Sequence, residues 1–246
     1  MCCSLIFPLI TTMMYLKILL TTTLDTARIT MEPNNIPMVV LGAALLWFGW
    51  FGFNAGSALT AGGLASNAFV ATNTAAASAA FTWMVLGWIN RRPSVLGAAT
   101  GAVVGLVAIT PAAGFVQPWA GIPIGATAAA LSYYAMILRS KANKIDESLD
   151  VFACHGIGGI WGALATGIFA TAAVNSAGSG LIDGNGTQVL IQMAAIAITI
   201  FFAFTTTWLL AKLVDVTVGL RVAPEEETVG LDISQHGERA YGGLLR

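Results

Sequence analysis

Apolar residues run through this chain in long blocks, with the charged ones gathered in short clusters between them. No Asp, Glu, Lys or Arg occurs from Pro33 to Asn90, from Pro93 to Leu138, from Val151 to Ile182, or from Gly184 to Ala211. A membrane-crossing helix needs roughly 20 predominantly apolar residues, so each of the two longer blocks has room for two. Turn residues divide them. A first helix is predicted over residues 38–58, ending before Ala61-Gly62-Gly63, and a second over 67–89, closed by Arg91-Arg92-Pro93. A third over 94–109 stops at Thr110-Pro111, and three more are predicted over 122–138, 151–174 and 188–220. Strands are a poor reading, because an open sheet leaves its edges unsatisfied in lipid and no ten-residue alternation appears. The expected fold class is an all-α integral membrane protein with six transmembrane helices.

The first 30 residues differ in character. Met1–Leu20 is apolar, but Pro8 and Lys17 interrupt it and it is rich in Thr and Met. No basic region precedes the apolar run and no small-residue cleavage site follows it, so a secretory signal is the weaker reading. The segment is read instead as a marginal seventh span. The expected organisation is an atypical segment over 1–30, a membrane domain over 31–220 and a cytoplasmic tail over 221–246.

Composition agrees with a bilayer setting. Hydrophobic residues make up 57% of the 246 and charged residues 9%, against about 25% charged in soluble domains. Arg91 and Arg92 lie between helices two and three, Arg139, Lys141 and Lys144 between four and five, and Arg221 after helix six. The other loops between predicted helices hold no Lys or Arg. Alternate loops are therefore basic, which assigns them and the tail to the cytoplasm. Lys17 and Arg28 fit the same side if the first segment crosses. A net charge of −1 argues against nucleic acid as a partner. Cys2, Cys3 and Cys154 have no metal-ligand spacing. Gly97, Gly101 and Gly105, the pair Gly158 and Gly162, and the run Ala75–Ala80 mark faces where helix backbones can approach closely.

Three places could carry chemistry. His155 lies inside the fifth predicted span, five residues past Asp150, or roughly 7–8 Å along a helix axis. An ionisable group there faces a bundle interior or a cavity, as a functional group or as one bonded to a neighbouring helix. Asp150, at the start of that helix, is best read as a cap on its free amides. The stretch Trp47-Phe48-Gly49-Trp50-Phe51-Gly52-Phe53-Asn54-Ala55-Gly56-Ser57 sets Trp50, Phe53, Asn54 and Ser57 on one side. Such a face suits an interfacial aromatic belt, and equally a small cation held by π surface and a hydroxyl. No zinc-protease, nucleophile-elbow or phosphate-loop motif occurs, so neither an enzyme nor a cofactor or metal is expected.

Taken together, Gly49–Ser57, Thr110-Pro111-Ala112-Ala113-Gly114, Asp150-Val151-Phe152-Ala153-Cys154-His155-Gly156 and the tail pieces Gly219-Leu220-Arg221-Val222, Gly230-Leu231-Asp232 and His236-Gly237-Glu238 resemble the ammonium transporter, methylammonium permease and Rhesus protein family. The resemblance starts near Met31 and covers about 215 residues. It implies two inverted five-helix repeats plus a long final helix in a full-length trimer, of which this chain corresponds to the second repeat and the final helix. An amino-terminal half is thus expected to be missing. Ammonium or ammonia would be the substrate, membrane lipid the surroundings, and a cytoplasmic nitrogen-signalling regulator a partner of the tail. By the same resemblance Phe53 is one of two gating phenylalanines, Ser57 accepts a hydrogen bond from ammonium, and His155 is the second of two pore histidines. Trp50, Asn54, Thr110 and Asp150 would shape and support the pore. Residues 1–30 hold no Trp and no His, so they cannot supply the recruitment tryptophan or first pore histidine of the other repeat.

Overall fold

The computed structural model describes residues 33, 35–90, 92–142 and 149–239; the marginal span expected within residues 1–30 lies outside them. All regular structure among the described residues is helical. The long helices are α1 (Ile36–Asn54), α2 (Gly63–Asn90), α3 (Val95–Ile109), α4 (Gly121–Ala142), α5 (Gly158–Phe169) and α6 (Thr187–Thr217). The turn of π-helix Phe152–Ile157 runs directly into α5. The chain divides into two compact units, up to Thr207 and from Trp208, with the division inside α6. The second unit holds the end of α6 and two short helices, α7 (Pro224–Val229) and α8 (Leu231–Ser234). Arg221 forks onto both carboxylate oxygens of Glu227 there.

Local chemistry sets the boundaries. Asn35 caps α1 by accepting the Met38 amide at 3.0 Å, with Pro37 in the first turn where no N–H is needed. Ser94 caps α3 through the Gly97 amide. Pro111 has no N–H to continue the α3 ladder, and the Thr110 amide already turns to Val107, three residues back. At 15 residues α3 is apolar but short, roughly 22 Å at 1.5 Å per residue. Five of the six expected spans, counting the π-turn with α5, are long and apolar enough to cross a bilayer; α3 is the exception.

Several helix ends depart from expectation by three to five residues, two of them for visible reasons. The fifth helix stops at Phe169 rather than near 174, because Ala170 turns extended and the Thr171 amide donates to Phe115 at 2.8 Å. A bond to another loop there outweighs one more helical turn, a contest that apolar pattern alone does not decide. The sixth stops at Thr217, and Val218 and Gly219 both donate to the Val214 carbonyl, with Gly219 left-handed.

Small residues hold the first unit together, as their spacing predicts. A Cβ on Gly101 would lie 2.6 Å from Trp83, and one on Gly105 would overlap the Ala75 carbonyl oxygen, so α2 and α3 run antiparallel with backbones almost touching. Gly121 and Gly125 bring α4 onto Ala71 and Ala75 of the same helix, and Gly162 brings α5 onto Ala108 of α3. Ala71, Ala75, Ala76 and Ala79 have no exposed surface at all. Tyr133 of α4 donates to the Leu86 carbonyl, and Gly87 lies against Pro93. The carboxyl ends of α2 and α4 therefore lie together, which gathers Arg92, Arg139 and Lys141 at one end of the unit. At the other end Asn67 donates to the Ala113 and Val116 carbonyls.

Candidate functional site

The aromatic stretch of α1 is tied into the unit by two hydrogen-bond chains. Trp50, 7% exposed, donates its indole N–H to the Thr110 hydroxyl at 2.8 Å. Thr110 passes its own proton to the Leu106 carbonyl at 2.7 Å, so its oxygen can act only as acceptor toward Trp50. One turn on, Asn54 donates to Thr72 at 3.0 Å, and Thr72 donates in turn to Ala68. These bonds set α1 against the end of α3 and the beginning of α2. Each neutral bond contributes about 1 kcal/mol.

The remaining face of the stretch is open. Phe53 stands edge-on to Trp50, with ring centroids 5.8 Å apart, and keeps 37% of its surface exposed. Ser57, in the short 3₁₀ turn Gly56–Ala58, donates its proton to the Phe53 carbonyl at 2.6 Å. Its exposed oxygen keeps its lone pairs as acceptors, one turn from Phe53. A hydroxyl so committed attracts a donor or a small cation, and the rings add their quadrupoles. A separate apolar groove of about 510 Å³, lined by Phe48, Gly49, Phe51, Gly52 and Phe69, lies on the opposite side of α1. It holds none of the expected site residues.

His155 occupies another element. It sits half-buried in the π-turn, one turn before Gly158. Gly158 faces Val104 and Val107 while Gly162 faces Ala108, so α3 and α5 run parallel. His155 therefore lies roughly 10 Å short, along the axis, of the level of Ala108. That puts it partway between the Trp50–Thr110 end and the basic end.

Asp150 is a correction. Its carboxylate does not serve as the expected cap on helix five; it pairs with Arg139 of α4. The cap is made by its main chain, whose carbonyl accepts the Cys154 amide at 3.0 Å. Its φ of +51° is left-handed, uncommon for a residue other than glycine. Of the expected residues, then, Trp50, Phe53, Asn54, Ser57 and Thr110 gather at one end, His155 stands partway along, and Asp150 anchors the other. Thr72 and Arg139 were not singled out by sequence: one lies in an Ala-rich helix and the other reads only as an orientation charge. A π-turn leaves no residue signature. Among the described residues no cluster of His, Cys, Asp or Glu could hold a metal.

An apolar bundle with five helices long and apolar enough to span a bilayer defines a multi-pass membrane protein. The Ammonium Transporter Family model matches residues 4–241, so the chain belongs to that family. The matched range reaches ahead of Met31, where the motif resemblance starts. The chain is 56% identical over 210 residues to the ammonium transporter Amt1 of Archaeoglobus fulgidus, covering 85% of this chain and 53% of that protein. Among solved structures it resembles Saccharomyces cerevisiae Mep2 with a TM-score of 0.72 at 37% identity, over 76% of this chain and 44% of that one. A protein described as a sensor Amt protein matches with a TM-score of 0.80 at 28% identity, over 94% of this chain and 57% of that one. The chain thus spans about half the length of the relatives it matches. The Archaeoglobus relative is named an ammonium transporter, and the family is not one of enzymes.

Proposed function

We propose that this chain supplies one half of the path for ammonium transport across the cell membrane. The observation that carries the reading is the exposed Phe53–Ser57 face backed by the buried Trp50, where a phenyl ring and a hydroxyl with its proton already committed offer acceptors to a small cation. Ammonium has four N–H donors, and such a face stabilises it without a counter-charge. Farther along, an intact ion entering a low-dielectric interior would lose several kcal/mol even after relaxation. Giving up a proton removes that charge, and the imidazole of His155 would hydrogen-bond ammonia along the way. Potassium, similar in size, has no proton to lose. Phe53 would gate the outer end, while Trp50, Asn54, Thr110 and Asp150 support the path.

The basic loops and the tail after Arg221 would face the cytoplasm, where a nitrogen-signalling regulator could meet the tail. The walls of a path between inverted repeats come from both repeats, and the assembly would be a trimer. The test joins a relative's first repeat to this chain and measures methylammonium uptake and potassium exclusion. The joined protein should conduct, and His155→Ala should reduce uptake or admit potassium. If the substitution changes neither, His155 only supports the fold. Residues 1–246 expressed alone should not rescue growth on limiting ammonium; robust rescue would mean that copies of this half build a path together. A chain that binds a separately supplied first half but never conducts would instead be an assembly subunit.

A further inference from the structure

We infer that the π-turn Phe152–Ile157 is the device that aims His155, and that Gly156, Asp150 and Arg139 are positioning residues that hold it. A π-turn carries an extra residue compared with an α-turn. Were the segment to relax to α-helix, side chains on its amino-terminal side would turn by up to about 100° and slide by about 1.5 Å. That rotation has nowhere else to go. Gly162 presses α5 against the Ala108 backbone and Gly158 packs on Val107, so the helix after the turn is fixed and a change of register appears at His155.

Two features hold the unusual turn in place. At its start, Asp150 takes a left-handed backbone conformation while its carboxylate is clamped by Arg139, beyond the loop that joins α4 to the turn. Conformations of this kind persist only where their surroundings over-determine them. Within the turn, the Phe152 ring lies across Gly156, and a Cβ there would sit 2.7 Å from one ring carbon and 2.9 Å from the next. A side chain at Gly156 must displace that ring, and the ring is part of the turn that carries His155.

The consequence for transport rests on the proposed role of His155, but the test does not. The full chain carrying His236→Asn keeps His155 as its one imidazole. With ¹⁵N-labelled histidine in lipid bilayers, its two ring nitrogens report tautomer and hydrogen bonding directly. Gly156→Ala should shift both resonances and change the tautomer ratio, and adding Phe152→Ala should return them by removing the ring the new methyl strikes. Arg139→Gln should split or broaden the same signals by freeing the start of the turn. Unchanged resonances in Gly156→Ala or in Arg139→Gln overturn the inference, as does a double variant that stays displaced. Should Gly156→Ala fail to accumulate, Arg139→Gln decides alone. If the ring signals move as expected while His155→Ala leaves uptake unaltered, the positioning stands and the pore role falls.

Discussion

Helices α2 and α6 are both apolar and long enough to span a bilayer, yet they live in different surroundings. The more apolar α6 has a mean hydropathy of 2.1 across its best window and hides 6% of it, whereas α2 has 1.3 and hides 33%. Helix α1 behaves like α6, with 1.9 and 6%. In water the most apolar segment would be the most buried. In lipid that ordering lapses, because hydrocarbon solvates Leu and Phe as well as a protein interior does. What buries α2 is small size: Ala71, Ala75, Ala76 and Ala79 let Gly101, Gly105, Gly121 and Gly125 come within backbone contact. Helix α6 instead presents Ile198, Phe201, Phe202 and Leu209 outward.

The contrast predicts a steep gradient of mutational effects. Gly125→Leu forces side-chain volume into the Ala75 carbonyl and should be the most severe, beyond the usual 1–3 kcal/mol of overpacking because main chain rather than a rotamer must give way. Loss of monodisperse protein in detergent reads it out, and a normal unfolding midpoint would mean that α2 and α4 are not in backbone contact. Trp50→Phe keeps an aromatic side chain but removes the N–H bonded to Thr110 and part of a buried ring, so stability should fall by at least about 1 kcal/mol. Combining it with Thr110→Val tests the pairing, since the two losses should not add. Phe201→Ala, at a side chain 74% exposed, should stay within about 0.5 kcal/mol in lipid. A large loss there would show that a protein surface covers that position.

Much of this could be read from the chain. Charge-free blocks gave six helices, and glycine spacing gave the close faces of α2, α3 and α5, since both follow from solvent and sterics acting locally. The grouping of Trp50, Phe53, Asn54 and Ser57 followed from helical spacing. What escaped was set by partners distant in sequence. Arg139 pairs with Asp150 across a loop, Thr72 receives Asn54 from another helix, and Thr171 ends α5 by bonding Phe115. Nothing in the neighbouring residues announces those partners. The π-turn is of the same kind, being a register fixed by what lies at both its ends.

The placement of the α1 tethers has a mechanical consequence. Among the described residues, side-chain bonds to other helices come from Trp50 and Asn54, within the last five residues of this 19-residue helix, and Trp47 packs beside them on the Leu106–Val107 core. The preceding stretch from Ile36 to Leu46 meets the rest of the unit with no buried side chain. Among the described residues, helix α1 is thus held by side-chain bonds at one end. A membrane a few ångströms thinner or thicker can be met by tilting the free arm, at a cost of fractions of a kcal/mol per ångström. The pivot, with Phe53 and Ser57 beside it, moves least, so the fixed end keeps its chemistry while the free end follows the lipid.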